Sequence, residues 1–128
     1  MASASNPMDM VIGAGEAQRD AKAAAKHLEA SKAAEAKGDR ETSTNELRRA
    51  VAADPTNPVS LFDLAYRLDA LGEEDEALAM YERAAERAPA HINTLINLAV
   101  VFEDRGDLPR AERCLRQVLG TQPNHPRA

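Results

Sequence analysis

The chain has 128 residues, enough for one domain or a run of small repeats, and 16 basic against 21 acidic side chains give it a formal charge of −5. That balance argues against nucleic-acid binding by this segment alone, because phosphate binding needs a dense basic surface. The single cysteine, Cys114, cannot form an internal disulfide, and no apolar stretch is long enough for a membrane span or a secretory signal. We therefore expect a cytoplasmic protein with no membrane-embedded part.

The amino-terminal region divides at residue 15. Residues 1–15 are expected to form a flexible segment, and the two glycines within 11–15 do not indicate a dinucleotide-binding loop, because no strand precedes them and no βαβ unit surrounds them. From Glu16 to Lys37 no glycine or proline intervenes. This stretch predicts an extended alanine-rich first helix of about 20 residues.

The rest of the chain repeats with a fixed period. Two turn-forming residue types recur every 34 residues, namely Gly38, Gly72 and Gly106, and Pro55, Pro89 and Pro123. Glycine readily ends a helix in the left-handed conformation, and proline cannot continue a helix. The shared period therefore indicates internal repeats of that length.

Each repeat predicts two helices around its glycine. In the middle repeat one helical face carries Leu61, Leu64, Leu68 and Leu71, and the helix after Gly72 opens with acidic residues and turns Ala77, Tyr81 and Ala84 inward. In the third repeat the inward residues are Leu95, Leu98 and Phe102, then Ala111, Leu115 and Val118, with Asp107 as the expected N-cap. The first repeat is weaker, because His27, Ala30 and Ala34 replace the large apolar residues.

This pattern resembles the tetratricopeptide repeat (TPR) family, and the resemblance rests on Leu64-Ala65, Gly72, Ala77, Tyr81 and Pro89 and on Leu98-Ala99, Gly106, Ala111 and Pro123. It implies an all-α fold of three tandem helix–turn–helix repeats in a short right-handed superhelix. A degenerate first repeat with the extended helix would occupy 16–57, the second repeat 58–91 and the third 92–125. Residues 126–128 would be the truncated start of a following helix.

The resemblance also implies a binding site, since arrays of this family bind extended peptides in a concave groove lined by the first helix of each repeat. The groove positions carry Lys32, Glu35, Phe62, Asp63, Tyr66, Asp69, Asn93, Ile96, Asn97, Val100 and Glu103. This set is acidic with an apolar floor, so it predicts an extended basic or amphipathic peptide segment as partner. The alternative interpretation is an ordinary solvated helix face.

One subclass of the family grips the acidic carboxyl termini of heat-shock chaperones through lysine, arginine and asparagine side chains. At the corresponding positions this sequence has Leu28, Lys32, Asp63, Asn93 and Asn97. Because Asp63 would repel a carboxylate, we do not expect that specificity.

The last repeat leaves an apolar helix face with no helix after it. Leu115, Val118 and Leu119 form a candidate self-association face, through which the uncapped helix would pair two copies in a homodimer. The chain would otherwise be a fragment of a longer protein. A weaker resemblance, carried by residues 50–55, 61–66 and 124–128, links it to bacterial proteins whose repeats precede a domain similar to the C-terminal domain of the RNA polymerase α subunit, which would make it an accessory module of a transcription-related protein.

Catalytic and metal-binding interpretations find no support in the residue spacing. His27, His91 and His125 are scattered, and no His–His or Cys–His pair falls at ligand spacing on one helix. Cys114 is interpreted as a packing residue, and the arginines from 105 to 116 as a solvated face. We expect no catalytic residue, metal or cofactor, and predict an interaction module rather than an enzyme.

Overall fold

The structure is a computed structural model that describes residues 20–121, and over that range it contains six α-helices and no strand. The helices are α1 (Ala21–Ala36), α2 (Arg40–Ala53), α3 (Pro58–Ala70), α4 (Glu74–Arg87), α5 (Ile92–Asp104) and α6 (Leu108–Thr121). They form three helix–turn–helix pairs in the predicted register, which confirms the all-α fold class. Residues 1–19 and 122–128, with Pro123, His125 and the predicted helix start at 126–128, lie outside the described residues.

The chain forms two compact units whose boundary in the sequence falls between Ser60 and Leu61, inside α3. In the N-terminal unit (described from residue 20 to 60), α1 packs against α2. In the C-terminal unit (described from residue 61 to 121), α5 packs against both α4 and α6. Each unit is described by itself below.

The three repeat glycines end the first helix of each pair as the spacing predicts. Their φ angles are 79°, 83° and 79° for Gly38, Gly72 and Gly106, in the left-handed region. At the first turn the Gly38 N–H donates to the Glu35 carbonyl at 2.9 Å and the next N–H donates to Ala34 at 2.9 Å. The other two turns repeat this pair of bonds, which satisfies carbonyls that a helix end otherwise leaves unpaired.

Acidic side chains begin the second helix of each pair. The Asp39 carboxylate accepts a hydrogen bond from the Thr42 N–H at 3.1 Å, and the Asp107 carboxylate accepts one from the Arg110 N–H at 3.3 Å, which confirms Asp107 as an N-cap. Glu73 makes no such bond, but three carboxylates lie in the first turn of α4 and favour the positive end of its dipole.

The first described helix begins at Ala21, directly after Asp20. Asp20 has an extended backbone, and its carboxylate accepts a hydrogen bond from the Ala23 N–H at 3.0 Å, so it caps a helix of 16 residues. The prediction overlooked Asp20 as a cap, and its proposed start at Glu16 lies outside the described residues. The helix is alanine-rich and starts one turn earlier in the repeat than α3 and α5 do.

Polar side chains replace apolar contacts between α1 and α2. Ser31 Oγ and Ser43 Oγ form a buried hydrogen bond of 2.9 Å at positions where the other repeats carry alanine. His27 Nδ1 lies 2.6 Å from Glu46 Oε1 and replaces the large apolar residue of the pattern. The weak first repeat therefore keeps the helix pair with polar contacts in place of bulky packing.

The C-terminal unit has a conventional apolar core. Its members come from all four helix segments of the unit, with half-buried Phe62 and Leu115 packed against the cluster. The buried cluster consists of Ala65, Tyr81, Leu98, Ala99, Val101, Phe102, Ala111 and Cys114. Small residues at 65, 99 and 111 allow the helices to approach closely, and a larger side chain there would cost about 1–3 kcal/mol.

Candidate functional site

Four rings of the C-terminal unit form an aromatic cluster, made of Phe62, Tyr66, Tyr81 and His91. Phe62 lies at its centre, with its ring centroid 6.3 Å from Tyr66, 5.9 Å from Tyr81 and 5.3 Å from His91. The first two residues share α3, Tyr81 comes from α4, and His91 directly precedes α5. The cluster therefore ties the second repeat to the start of the third.

Exposure within the aromatic cluster rises from floor to rim. Tyr81 is fully buried, Phe62 is half-buried, and 62% of Tyr66 is exposed. Tyr66 was predicted to face a partner, and the structure leaves its ring open to solvent over the packed Phe62 ring. This arrangement offers a rigid apolar base with a large amphipathic side chain above it.

His91 is held in place by the start of α5. Its Nδ1 accepts hydrogen bonds from the Thr94 N–H at 3.3 Å and from the Thr94 hydroxyl at 2.6 Å, so it caps the helix. Because Nδ1 acts as acceptor in both bonds, the proton of the neutral ring lies on Nε2. The edge-on contact with Phe62 is thereby fixed in orientation.

The Tyr81 hydroxyl is buried and makes no hydrogen bond to any described residue. Burial raises the pKa of Tyr81 well above its usual value, and the negative charge of Asp69 and then Tyr66 add to this effect. The Asn97 side chain lies close enough to oppose the pKa rise without reaching hydrogen-bond geometry. A buried polar group without a partner is costly, so this hydroxyl is a feature that the core alone does not explain.

The predicted groove residues of α5 lie along one helix face. Asn93 and Glu103 are exposed, and Ile96, Asn97 and Val100 are half-buried. On α3 the carboxylate of Asp69 is exposed and Asp63 is half-buried. The C-terminal unit thus presents apolar and amide groups together with carboxylates, and their membership of one binding groove stays a prediction.

Two predicted groove residues lie in the N-terminal unit. Lys32 and Glu35 are exposed on α1. Their membership of one site with the residues of α3 and α5 stays a prediction.

Two features of the site were missed from the sequence. Tyr81 was assigned to the core alone, with no role for its hydroxyl, and His91 was considered only as one of three scattered histidines. The sequence carried no clear signal for this role of His91, because histidine is not among the residues that helix N-caps prefer. No sequence signal marks the hydroxyl of Tyr81 as unpaired, since that depends on what packs around it.

The candidate self-association face is smaller than predicted. Val118 is fully buried, and Leu115 is half-buried against the core of the unit, so neither offers a free surface. Helix α6 packs these side chains on α5, and Leu119 alone among the three remains exposed, at 38%. Leu108 is 63% exposed and lies on the same side of α6 as Leu119, so the two leucines form one exposed apolar patch.

In the third repeat Cys114 is a buried packing residue, and the arginines lie on a solvated face, as the sequence indicated. Cys114 is buried, and burial raises the pKa of its thiol. Arg105 pairs with Asp75, Arg110 with Asp107 and Arg116 with Glu112 at the surface. Between residues 20 and 121, no three histidine, cysteine or carboxylate side chains come together as a metal site.

The six described helices are 13 to 16 residues long. None of those described is both long and apolar enough to cross a membrane.

Comparison with known proteins supports the TPR family. Residues 70–128 match the family model described as tetratricopeptide repeat, which covers the third repeat and the second helix of the second. Proteins with TPR folds generally serve as protein–protein interaction modules. The resemblance to bacterial proteins with an RNA polymerase-like domain stays a prediction.

Solved structures share the fold over most of the chain. The structure of the first TPR of Spaghetti (RPAP3), bound to the HSP90 peptide SRMEEVD, matches with a TM-score of 0.74 and 18% identity, covering 84% of this chain and 86% of that one. A tetratricopeptide repeat protein from Parabacteroides merdae gives a TM-score of 0.73 and 24% identity over 81% of this chain and 42% of its own. MamA gives 0.70 and 17% identity over 78% of this chain, which spans 58% of the MamA chain. At these identities the likeness shows the fold, and the binding specificity has to be argued from this chain's own residues.

Proposed function

We propose that the face formed by α3 and α5 of the C-terminal unit binds an extended basic or amphipathic segment of a partner protein. The observation that carries the proposal is the exposed Tyr66 ring, which stacks on the half-buried Phe62 ring one helical turn before the exposed Asp69. A rigid aromatic side chain gives a large contact area at low entropic cost, as in interface hot spots.

The apolar and polar groups of this face have separate tasks. Tyr66 and Phe62 would cover an apolar side chain of the partner, and Ile96 and Val100 would extend the apolar floor along α5. Asn97, with its amide donor and acceptor, suits the backbone of an extended peptide. Bringing a backbone group next to Asn97 would also place a polar atom near the unpaired Tyr81 hydroxyl.

The charges favour a basic segment over an acidic one. Asp63, Asp69 and Glu103 are carboxylates at the face, and the whole chain is net negative. Such a field speeds the encounter with a basic partner and repels a like-charged one. The acidic peptide bound by the Spaghetti repeat therefore serves as the contrasting ligand, because the shared fold does not carry that specificity to this chain.

The proposal is tested with two fluorescent peptides and fluorescence anisotropy. An extended peptide of alternating lysine and leucine should bind the chain, and the acidic peptide SRMEEVD should bind at least tenfold more weakly, about 1.4 kcal/mol. Tyr66→Ala should weaken the lysine–leucine peptide by about tenfold, since truncating an aromatic anchor costs more than about 1 kcal/mol.

Leu71→Ala is the matched control, because Leu71 is also a large exposed apolar residue, just beyond α3 and outside the aromatic cluster. It should leave the affinity unchanged. Equal binding of both peptides, or equal losses for the two variants, would show that this face is an ordinary solvated surface.

A second candidate function is self-association, which the exposed Leu108 and Leu119 favour. They lie on one side of α6 and are among the few large apolar side chains open to solvent in the described chain. Pairing of two copies of α6 through this side would bury both leucines.

A further inference from the structure

A second surface of the C-terminal unit contains an open cleft of about 670 Å³ between α4, α5 and α6. Its floor is apolar and consists of Ala85, Leu98 and Phe102. It contains no member of the aromatic cluster and none of the predicted groove residues. Binding of a partner in this cleft would therefore be independent of the function proposed above.

The two walls of the cleft carry opposite charges. Glu82 and Glu86 on α4 form one wall, and Arg110 and Arg113 on α6 form the other. Glu82 lies near enough to Arg105 to influence its pKa, and Glu86 and Arg113 are exposed long side chains of opposite sign that line the same cleft. Arg110 is held on its own side by Asp107 at 3.5 Å and by the Phe102 ring, whose centroid lies 5.8 Å from the guanidinium carbon.

The spacing along the walls matches a helix. The glutamates are four residues apart and the arginines three, so on each wall the charge recurs after about one helical turn, about 5 Å. An α-helix laid along the floor presents side chains from each edge at this same interval. An apolar strip facing Leu98 and Phe102 would complete such an occupant.

We propose that this cleft binds an amphipathic helix of a partner protein that has basic residues along one edge and acidic residues along the other. The basic edge pairs with Glu82 and Glu86, and the acidic edge pairs with Arg113 and Arg110. A helix with one sign of charge on both edges is attracted by one wall and repelled by the other, so the polarised cleft selects the mixed arrangement.

Three synthetic helical peptides with one shared apolar face test this proposal against the full 128-residue chain. The first peptide has lysine on one edge and glutamate on the other, the second has lysine on both edges, and the third has glutamate on both. By fluorescence anisotropy the mixed peptide should bind about tenfold more tightly than either of the others.

Charge reversal of one wall should then change the preference. Glu86→Lys cancels the net negative charge of its wall, so the peptide with two glutamate edges should gain affinity relative to the mixed peptide, and Arg113→Glu should in the same way favour the peptide with two lysine edges. Both side chains are exposed, so the fold should persist, which circular dichroism checks. Glu73→Lys and Arg116→Glu are matched controls on α4's cap and on α6, outside the cleft.

The proposal is overturned if the three peptides bind equally or not at all, or if the controls shift the preference as much as the cleft variants do. Tyr66→Ala should leave binding of the mixed peptide unchanged. A loss of affinity for the mixed peptide in Tyr66→Ala would place the peptide on the aromatic cluster instead, and would also overturn the cleft proposal.

Discussion

At the scale of single residues, the polar contacts between α1 and α2 are what separate the first repeat from the other two. The serine pair satisfies both hydroxyls in a buried place, and the His27–Glu46 contact replaces the packing of a large apolar residue. Each contact consists of two partners that depend on one another. Removing one partner therefore has a different effect from removing both.

The serine pair predicts a non-additive mutant cycle. Ser31→Ala leaves the Ser43 hydroxyl buried without its partner and should lower the free energy of unfolding by about 1–2 kcal/mol. The double variant Ser31→Ala with Ser43→Ala has alanine at both positions, like the other repeats, and should be close to the original chain. Urea denaturation of the three proteins measures this, and additive losses in the double variant would contradict it.

The contact between His27 and Glu46 predicts a dependence of stability on pH. The hydrogen bond with His27, assisted by the Arg49 charge, lowers the pKa of Glu46 below its ordinary value of 4.5. A carboxylate with a lowered pKa in the folded chain stabilises it above the unfolded value, and that contribution is lost as pH falls through the folded pKa. His27→Ala should therefore reduce the fall of unfolding free energy below about pH 4.5.

Urea denaturation between pH 3 and 6 provides the measurement for the His27 variant. Glu46→Gln should reduce the acid dependence in the same way, because it removes the titrating group itself. Glu41→Gln, at an exposed position in the first turn of the same helix, is the control and should retain the acid dependence. An unchanged acid dependence in His27→Ala would show that the hydrogen bond does not hold the pKa of Glu46 down.

At the scale of elements, the helix boundaries follow from local chemistry. Asp20, Asp39 and Asp107 cap helix starts through their carboxylates, and a glycine with positive φ ends the first helix of each pair. Both the caps and the glycine helix ends depend on residues only a few positions away in the sequence. They can therefore be predicted from the sequence wherever the capping residue is recognised.

Alanine substitution at two glycines of the C-terminal unit should change the free energy of unfolding in opposite directions. Gly72 has a φ of 83°, so Gly72→Ala should lower the free energy of unfolding by about 1–2 kcal/mol through backbone strain alone, since an added Cβ meets no atom within 4 Å. Gly120 lies in α6 without positive φ and is also uncrowded, so Gly120→Ala should raise stability by about 0.5–1 kcal/mol. Thermal unfolding by circular dichroism distinguishes them, and a loss of the same sign in both would contradict the conformational argument.

At the scale of the whole molecule, the surfaces that remain open decide what the chain can bind. The C-terminal unit presents the aromatic cluster beside carboxylates, the polarised cleft, and the two exposed leucines of α6. The aromatic face was predicted in outline from the sequence, and so was Leu119 of the two leucines, whereas the cleft was not predicted. The leucines carry the second candidate function, which belongs to the assembly rather than to one unit.

Self-association through α6 predicts a mass that depends on concentration in light scattering. Leu119→Glu should convert the dimer into a monomer, because a charge buried in an apolar contact without a partner is costly. Val118→Ala would disturb the fold instead, since Val118 is fully buried. A single monomer mass over the whole concentration range would exclude this function.

Caps, left-handed glycines and helical periodicity act over short distances, so the helices, the repeat period and most helix ends could be predicted from the sequence, although the cap at Asp20 was overlooked. The sequence also placed Tyr66, Phe62 and the residues of α5 on candidate binding positions through the family resemblance. Only the tertiary structure decided which of the candidates remain open, burying Val118 and leaving Tyr66 exposed. It also brought Glu86 and Arg113 to opposite walls of one cleft and left the Tyr81 hydroxyl unpaired, since burial and cross-helix distances depend on how separate helices pack.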